Sequence, residues 1–192
     1  MSRTPPLPSE KSPDRGKAAC RACLNSCQAA SEQEVCGLRW EWEVKVPELD
    51  TSVFLIPASE VKNREERLVV LNRVAKSVVD EMRDVHDEYV FAYKGGRVQK
   101  MNSSAWRHAR QKAELPQVRV HDLKHTFGRR LRATGVSFED RQDLLGHRSG
   151  RITTHYSAAE LGHLIEAANR ACAERSRKSP APVMLKRQAA SA

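Results

Sequence analysis

Apolar positions along the chain change period several times, and each change marks an element. Residues 1 to about 30 carry little apolar periodicity and are rich in Pro, Ser, Lys and Arg, which reads as a disordered segment. The first dense apolar residues come in "SEQEVCGLRWEWEV". There Val35, Leu38 and Trp42 fit one helix face, but the Glu-Trp-Glu-Val alternation from Glu41 reads better as entry into a strand. "TSVFLIP" predicts a short strand closed by Pro57, and "RLVVLN" a second. The polar link "ASEVKNREE" between them predicts a hairpin, so a small antiparallel sheet is expected over residues 42–72.

From Arg73 the pattern turns helical, with Val74, Val78 and Met82 recurring at four-residue spacing. "YVFAYKGGRVQK" predicts a strand followed by a Gly-Gly turn. "MNSSAWRHARQKAEL" opens on the cap-type residues Asn102 and Ser103 and predicts a helix ending before Pro116. "HDLKHTFGRRLRATG" predicts another, with Asp122 as its N-cap, Leu123, Phe127 and Leu131 as its buried stripe, and Gly135 as its stop. "SFEDRQDLLGH" predicts a short helix stopped by Gly146, and "SAAELGHLIEAANRACAE" a final one. The expected fold class is α+β: a mostly helical domain over residues 31–175 carrying a small antiparallel sheet, followed by a basic, loose tail over 176–192.

Composition narrows the partners. The 192 residues are 40% hydrophobic and 30% charged, with a formal net charge of +9. Such a balance favours a polyanionic partner, most simply a nucleic acid, DNA or RNA, the alternative being a soluble protein with basic tails. No apolar run is long enough to span a bilayer and no signal-type apolar region opens the chain, so no membrane partner and a cytoplasmic, nucleoid-associated location are expected. Five cysteines, an odd number in a chain without a signal, argue against a disulfide framework. Cys20, Cys23 and Cys27 hold a C-x-x-C but have no nearby histidine to complete a zinc site, and neither a metal nor a cofactor is expected.

The chemistry concentrates between Val118 and Ser157. On a helix, His121, Lys124 and His125 lie at i, i+3 and i+4 and so share a face. Two imidazoles and an ammonium suit a phosphate, to which each can donate a hydrogen bond. His125 and His155 read as structural residues. His121 and His125 also form an H-x-x-x-H, but Asp122 stands where the metalloprotease motif needs glutamate. His147 follows Leu144-Leu145-Gly146, and Tyr156 comes nine residues later. A tyrosine beside a cationic pocket points to nucleophilic attack on phosphorus, because a phenol needs a base or cations nearby to react at neutral pH.

"HDLKHTF", "LLGH" and "THYS", in that order and at these separations, resemble the C-terminal catalytic domain of the tyrosine recombinases, the phage integrases. "EVCGLRWEWEV" and the hairpin extend the resemblance over about residues 31–170. It implies a site-specific recombinase acting through a phosphotyrosine, with tetramers of recombinase subunits on DNA. By position Tyr156 resembles the nucleophile. His121 and His147 are implied to donate to, or shuttle protons around, the scissile phosphate. Lys62, in "EVKNREERLVVL", matches the lysine that protonates the leaving 5′ oxygen. Two positions depart from the pattern. Lys124 stands in place of the arginine of His-x-x-Arg, keeping the charge without the planar fork, and in "AASEQEVCGLRW" Ser31 stands where the family carries its first arginine. With no apolar helices ahead of residue 31, the chain reads as a truncated and impaired integrase whose N-terminal segment has been replaced. The rival is a non-catalytic DNA-binding protein, with "VSFEDRQDLLGHRSGRITTHYS" as a helix-turn-helix, or an inactive integrase remnant.

Overall fold

The computed structural model describes residues 31–101, 104–146 and 156–172. The end segments 1–30 and 176–192, with Cys20, Cys23 and Cys27, lie outside the described residues, as do the cap candidates Asn102 and Ser103.

Ser31 opens helix α1 (Glu32–Cys36) as its N-cap. Its hydroxyl accepts from the Glu34 amide at 3.3 Å, and the Glu34 carboxylate accepts from the Ser31 amide at 2.7 Å. Two amides left without helical partners are thereby satisfied reciprocally. A single 3-10 turn at Trp40–Trp42 then leads into strand β1 (Glu43–Val46), so the segment that read as either helix or strand is both in succession. β1 pairs antiparallel with β2 (Thr51–Ile56), and β2 pairs antiparallel with β3 (Arg67–Val69). This is the small sheet expected over residues 42–72, with the loop containing Lys62 joining β2 to β3.

Strands β2 and β3 are buried on both faces, which is why they read as nearly unbroken apolar runs, whereas Val44 and Lys45 of β1 are exposed. Alternation along the strands sends Phe54, Ile56, Val69 and Leu71 into one core cluster and Val53, Leu68 and Val70 toward two others. The first cluster also takes Val35 from α1, Val79 from helix α2 (Arg73–Glu81), and Phe91 and Met101. Asn72 caps α2, its side-chain oxygen accepting from the Ala75 amide at 2.9 Å. The buried stripe of α2 is Ala75, Val78, Val79 and Met82, while Val74 is 38% exposed. Four-residue steps drift by about 40° each around a helix, so a strict i, i+4 series leaves the core face, whereas i, i+3, i+4, i+7 keeps to it.

A short hairpin follows, β4 (Ala92–Tyr93) against β5 (Gly96–Arg97). It turns through Lys94 and Gly95, with φ of 52° and 79°, one residue ahead of the expected Gly-Gly pair. Two consecutive positive φ values are what a two-residue hairpin turn needs to match strand twist. Helix α3 (Ser104–Lys112) buries Trp106.

The other side of the sheet is covered by α4 (Val120–Ala133), α5 (Phe138–Leu145) and α6 (Ala158–Arg170). Phe127 and Leu131 of α4, Leu144 and Leu145 of α5, and Leu164 and Ala168 of α6 form the second cluster with Val70. Ser137 and Ser157 cap α5 and α6 through the amides of Asp140 and Glu160. Asn169 accepts from the Arg73 amide at 2.7 Å, tying the end of α6 to the start of α2. The result is an α+β domain, with six α-helices around small antiparallel sheets among the described residues. Among the described residues no helix is long and apolar enough to cross a membrane.

Candidate active site

The helix that carries the His-Lys-His pattern starts one turn earlier than its sequence suggests. Arg119, not Asp122, is the N-cap of α4, and Asp122 is its third residue. The Asp122 carboxylate accepts from the Arg119 amide at 2.9 Å and from the Arg119 guanidinium at 3.0 Å. Those bonds hold its carboxyl down to about 2. With the first turn fixed in this way, Phe127 and Leu131 point into the core and His121 and His125 remain exposed. Their Nε2 atoms are 2.9 Å apart and their rings meet edge to face at 4.5 Å.

Lys124 does not share that exposure. It is half-buried, and burial lowers its ammonium below the ordinary lysine value. The positive charge of Arg67 lowers it further, and the Glu34 carboxylate works in the opposite direction. Lys124 is thus drawn toward the sheet while the two histidines face outward.

Arg67 is the residue that the sequence pattern did not single out. It opens β3 and is 7% exposed. Its guanidinium donates to the carbonyls of Asp143 and Leu144, each at 3.0 Å, at the C-terminus of α5. These are carbonyls a helix end leaves without internal partners, and a cation is favoured at the negative end of the helix dipole. Burial works against the charge, and Glu34, Tyr156 and Asp143 support it. In sequence Arg67 is only the polar start of an apolar strand after a charged loop. Its one visible signal is a lone arginine directly ahead of Leu68-Val69-Val70-Leu71.

Gly146 ends α5 with φ of 62°. A Cβ built there would stand 2.0 Å from the Arg67 Cζ, so the turn needs glycine both for its left-handed backbone and for the room the guanidinium occupies.

Tyr156 immediately precedes Ser157, the cap of α6, and packs partly buried against the apolar clusters beside Leu68. Burial pushes its phenol above the ordinary tyrosine value, and the Asp143 carboxylate adds to the rise. The Arg67 charge acts against both. The phenol therefore holds its proton at neutral pH and requires an acceptor before it can attack.

Lys124, Arg67, Tyr156, Glu34 and Asp143 form one electrostatically coupled group. His121 stands on the same helix as Lys124, exposed. Lys62 is exposed in the loop between β2 and β3, with no hydrogen bond or ion pair among the described residues. Ser31 caps α1 together with Glu34, which places the departure from the arginine pattern within one helical turn of this group. His147 and His155 lie outside the described residues. No group of three or more His, Cys, Asp or Glu that could hold a metal ion occurs among the described residues.

Comparison with known proteins gives two findings. Residues 12–163 match the phage integrase family, a span that contains Lys62, His121, Lys124, His147 and Tyr156. The chain is also 28% identical over 134 residues to the integrase of Salmonella phage P22, an alignment covering 63% of this chain and 35% of that relative. The chain thus spans about a third of the length of the curated relative it matches.

The fit between Arg67 and Gly146 can be measured against a second glycine. Gly135 also has positive φ, 74°, but a Cβ there meets nothing within 4 Å. Gly135→Ala is expected to cost only the left-handed backbone penalty, about 1–2 kcal/mol. Gly146→Ala adds displacement of a buried guanidinium from two carbonyls, roughly 3 kcal/mol more. Urea unfolding of both variants checks this, and equal losses would show that Arg67 does not occupy that space.

Proposed function

Because the chain belongs to the phage integrase family, we propose that it breaks and rejoins double-stranded DNA at specific sites through a phosphotyrosine intermediate, with Tyr156 as the nucleophile. The observation that carries this reading is the coupling of a half-buried tyrosine to Arg67, whose charge also reaches Lys124. The Arg67 charge works to lower the phenol against burial and Asp143, which raise it, and a cation acting in that direction favours attack on a phosphodiester.

In the step we infer, the Tyr156 oxygen bonds to phosphorus as the bond from phosphorus to the 5′ oxygen breaks. The phenol proton passes to a histidine, His121 or His147, and the leaving oxygen takes a proton from Lys62. The raised Tyr156 value makes the acceptor necessary. Lys124 stabilises charge on the non-bridging oxygens as a point cation, without the two parallel bonds an arginine would make. Rejoining is the reverse attack by a 5′ hydroxyl. Residues 31–175 form the catalytic unit in this reading. Its partners are duplex DNA and further recombinase subunits, and its location is cytoplasmic, on the nucleoid.

A second reading is an inactive remnant that binds DNA without cutting it. Ser31 favours it, since that position serves as a helix cap rather than supplying a clamp. One clamping cation at a dry phosphoryl site is worth orders of magnitude in rate. A slow enzyme is the expectation, with an impairment that lies in the chemical step.

A nicked suicide duplex separates the two readings. The proposed activity links the chain covalently to DNA, and Tyr156→Phe abolishes the adduct while leaving DNA affinity nearly unchanged, because one oxygen and almost no volume is removed. Tight binding with no adduct from the parent chain selects the remnant.

The lysine substitution also leaves a mark on pH dependence. Lys124 acts as a cation, and its value in the folded protein lies below the ordinary one, so its charge is lost at lower pH than that of an exposed lysine. Single-turnover cleavage should therefore fall on the alkaline side, and Lys124→Arg, charged throughout, should remove that fall. Adding Ser31→Arg should raise cleavage more than DNA affinity, despite about 1 kcal/mol lost with the cap. A double variant no faster than its parent would remove both positions from the site.

A further inference from the structure

The exposed pair on α4 is built like one half of a metal coordination sphere. His121 and His125 sit one turn apart on the same helix face, and the hydrogen bond between their Nε2 atoms, 2.9 Å long, is made by one ring to the other. Both side chains are open to solvent. At a metal–nitrogen distance of about 2.05 Å, two ligands at the tetrahedral angle stand about 3.3 Å apart, and two at a right angle about 2.9 Å. Adjacent positions at a right angle belong to square-planar and octahedral ions.

We propose that His121 and His125 together chelate a divalent copper or nickel ion through their two Nε2 atoms, water filling the remaining positions. In the hydrogen-bonded pair one Nε2 carries a proton and the other accepts it. When the ion binds, the donor ring moves that proton to its own Nδ1, and small rotations of both rings turn the two lone pairs toward the ion. No net proton is released from a neutral pair. Asp122, the nearest carboxylate in sequence, is held by Arg119 and is not needed as a third ligand. The order of divalent affinities and the preference of imidazole nitrogen favour copper, then nickel, over manganese.

The site differs in kind from a resident cofactor. An ion on His121 ties up one of the two histidines that the proposed cleavage offers to the phenol proton, so bound copper or nickel slows the reaction wherever His121 is the acceptor. That consequence rests on the functional reading above, whereas the binding itself does not.

The test is a titration of the full chain with copper or nickel alone, its accessible thiols capped with N-ethylmaleimide because the C-x-x-C of Cys20 and Cys23 would also take the ion. His121→Gln and His125→Gln should each weaken the same single equivalent by roughly tenfold or more, since losing a ligand costs at least as much as losing the outer partner of one. The electron paramagnetic resonance spectrum of the parent chain with one equivalent of copper should show two imidazole nitrogens, a readout that needs neither variant to fold and no DNA cleavage. Affinity unchanged in either variant, or a spectrum with fewer than two imidazole nitrogens, overturns the proposal.

Discussion

A guanidinium with almost no access to water holds this domain's site together. Removing an ion from water costs several kcal/mol, and the cost is offset only where good hydrogen bonds and favourable charge meet it. Arg67 finds both at the end of α5, whose terminal carbonyls accept its two bonds. Much of the surrounding geometry follows. Gly146 has no side chain because the guanidinium fills that space. Lys124 is a weaker holder of its proton because it is half-buried and, second, because the Arg67 charge acts on it. Tyr156 feels the same charge from its place just ahead of α6. Strand β3, helix α5 and the residue that leads toward His147 in the chain are joined by one side chain.

Arg67 and Lys124 are held in different ways. Arg67 is committed to backbone carbonyls and acts as a structural charge. Lys124 is left as the cation of α4 that can titrate within the pH range of an experiment, because its neighbour and its burial both favour the neutral form. An arginine at position 124 would stay charged at all accessible pH. A lysine at that position can lose its charge and gives fewer directed hydrogen bonds than an arginine would. Ser31 is likewise committed to local structure, its hydroxyl and the Glu34 carboxylate closing a capping box.

The parts of this picture that could be read from sequence share a local cause. The sheet was legible in "TSVFLIP" and "RLVVLN" because both faces of those two strands are buried, and α4 to α6 were legible because caps and stripes lie within a turn or two of one another. Errors arose where local and tertiary demands compete. Val74 fits a four-residue series but rotates off the core face, and Asp122 resembles a cap but serves Arg119 from within the helix. The His-x-x-Lys pattern named candidate residues on α4, but Arg67 is invisible to it, because the bonds of Arg67 span 76 and 77 residues, which no spacing rule registers.

The central claim, that a buried Arg67 charge and the burial around it set the proton affinity of Lys124, can be measured on the lysine itself. Carbon-13 labelling of lysine side chains followed by an NMR titration reports Lys124 directly, with Lys124→Arg to assign its signal. The account predicts a value below the ordinary lysine one in the parent chain and a rise toward it in Arg67→Met, where burial remains but the neighbouring charge is gone. Lys124 titrating at the ordinary value in the parent chain, or unmoved by loss of the Arg67 charge, would contradict it.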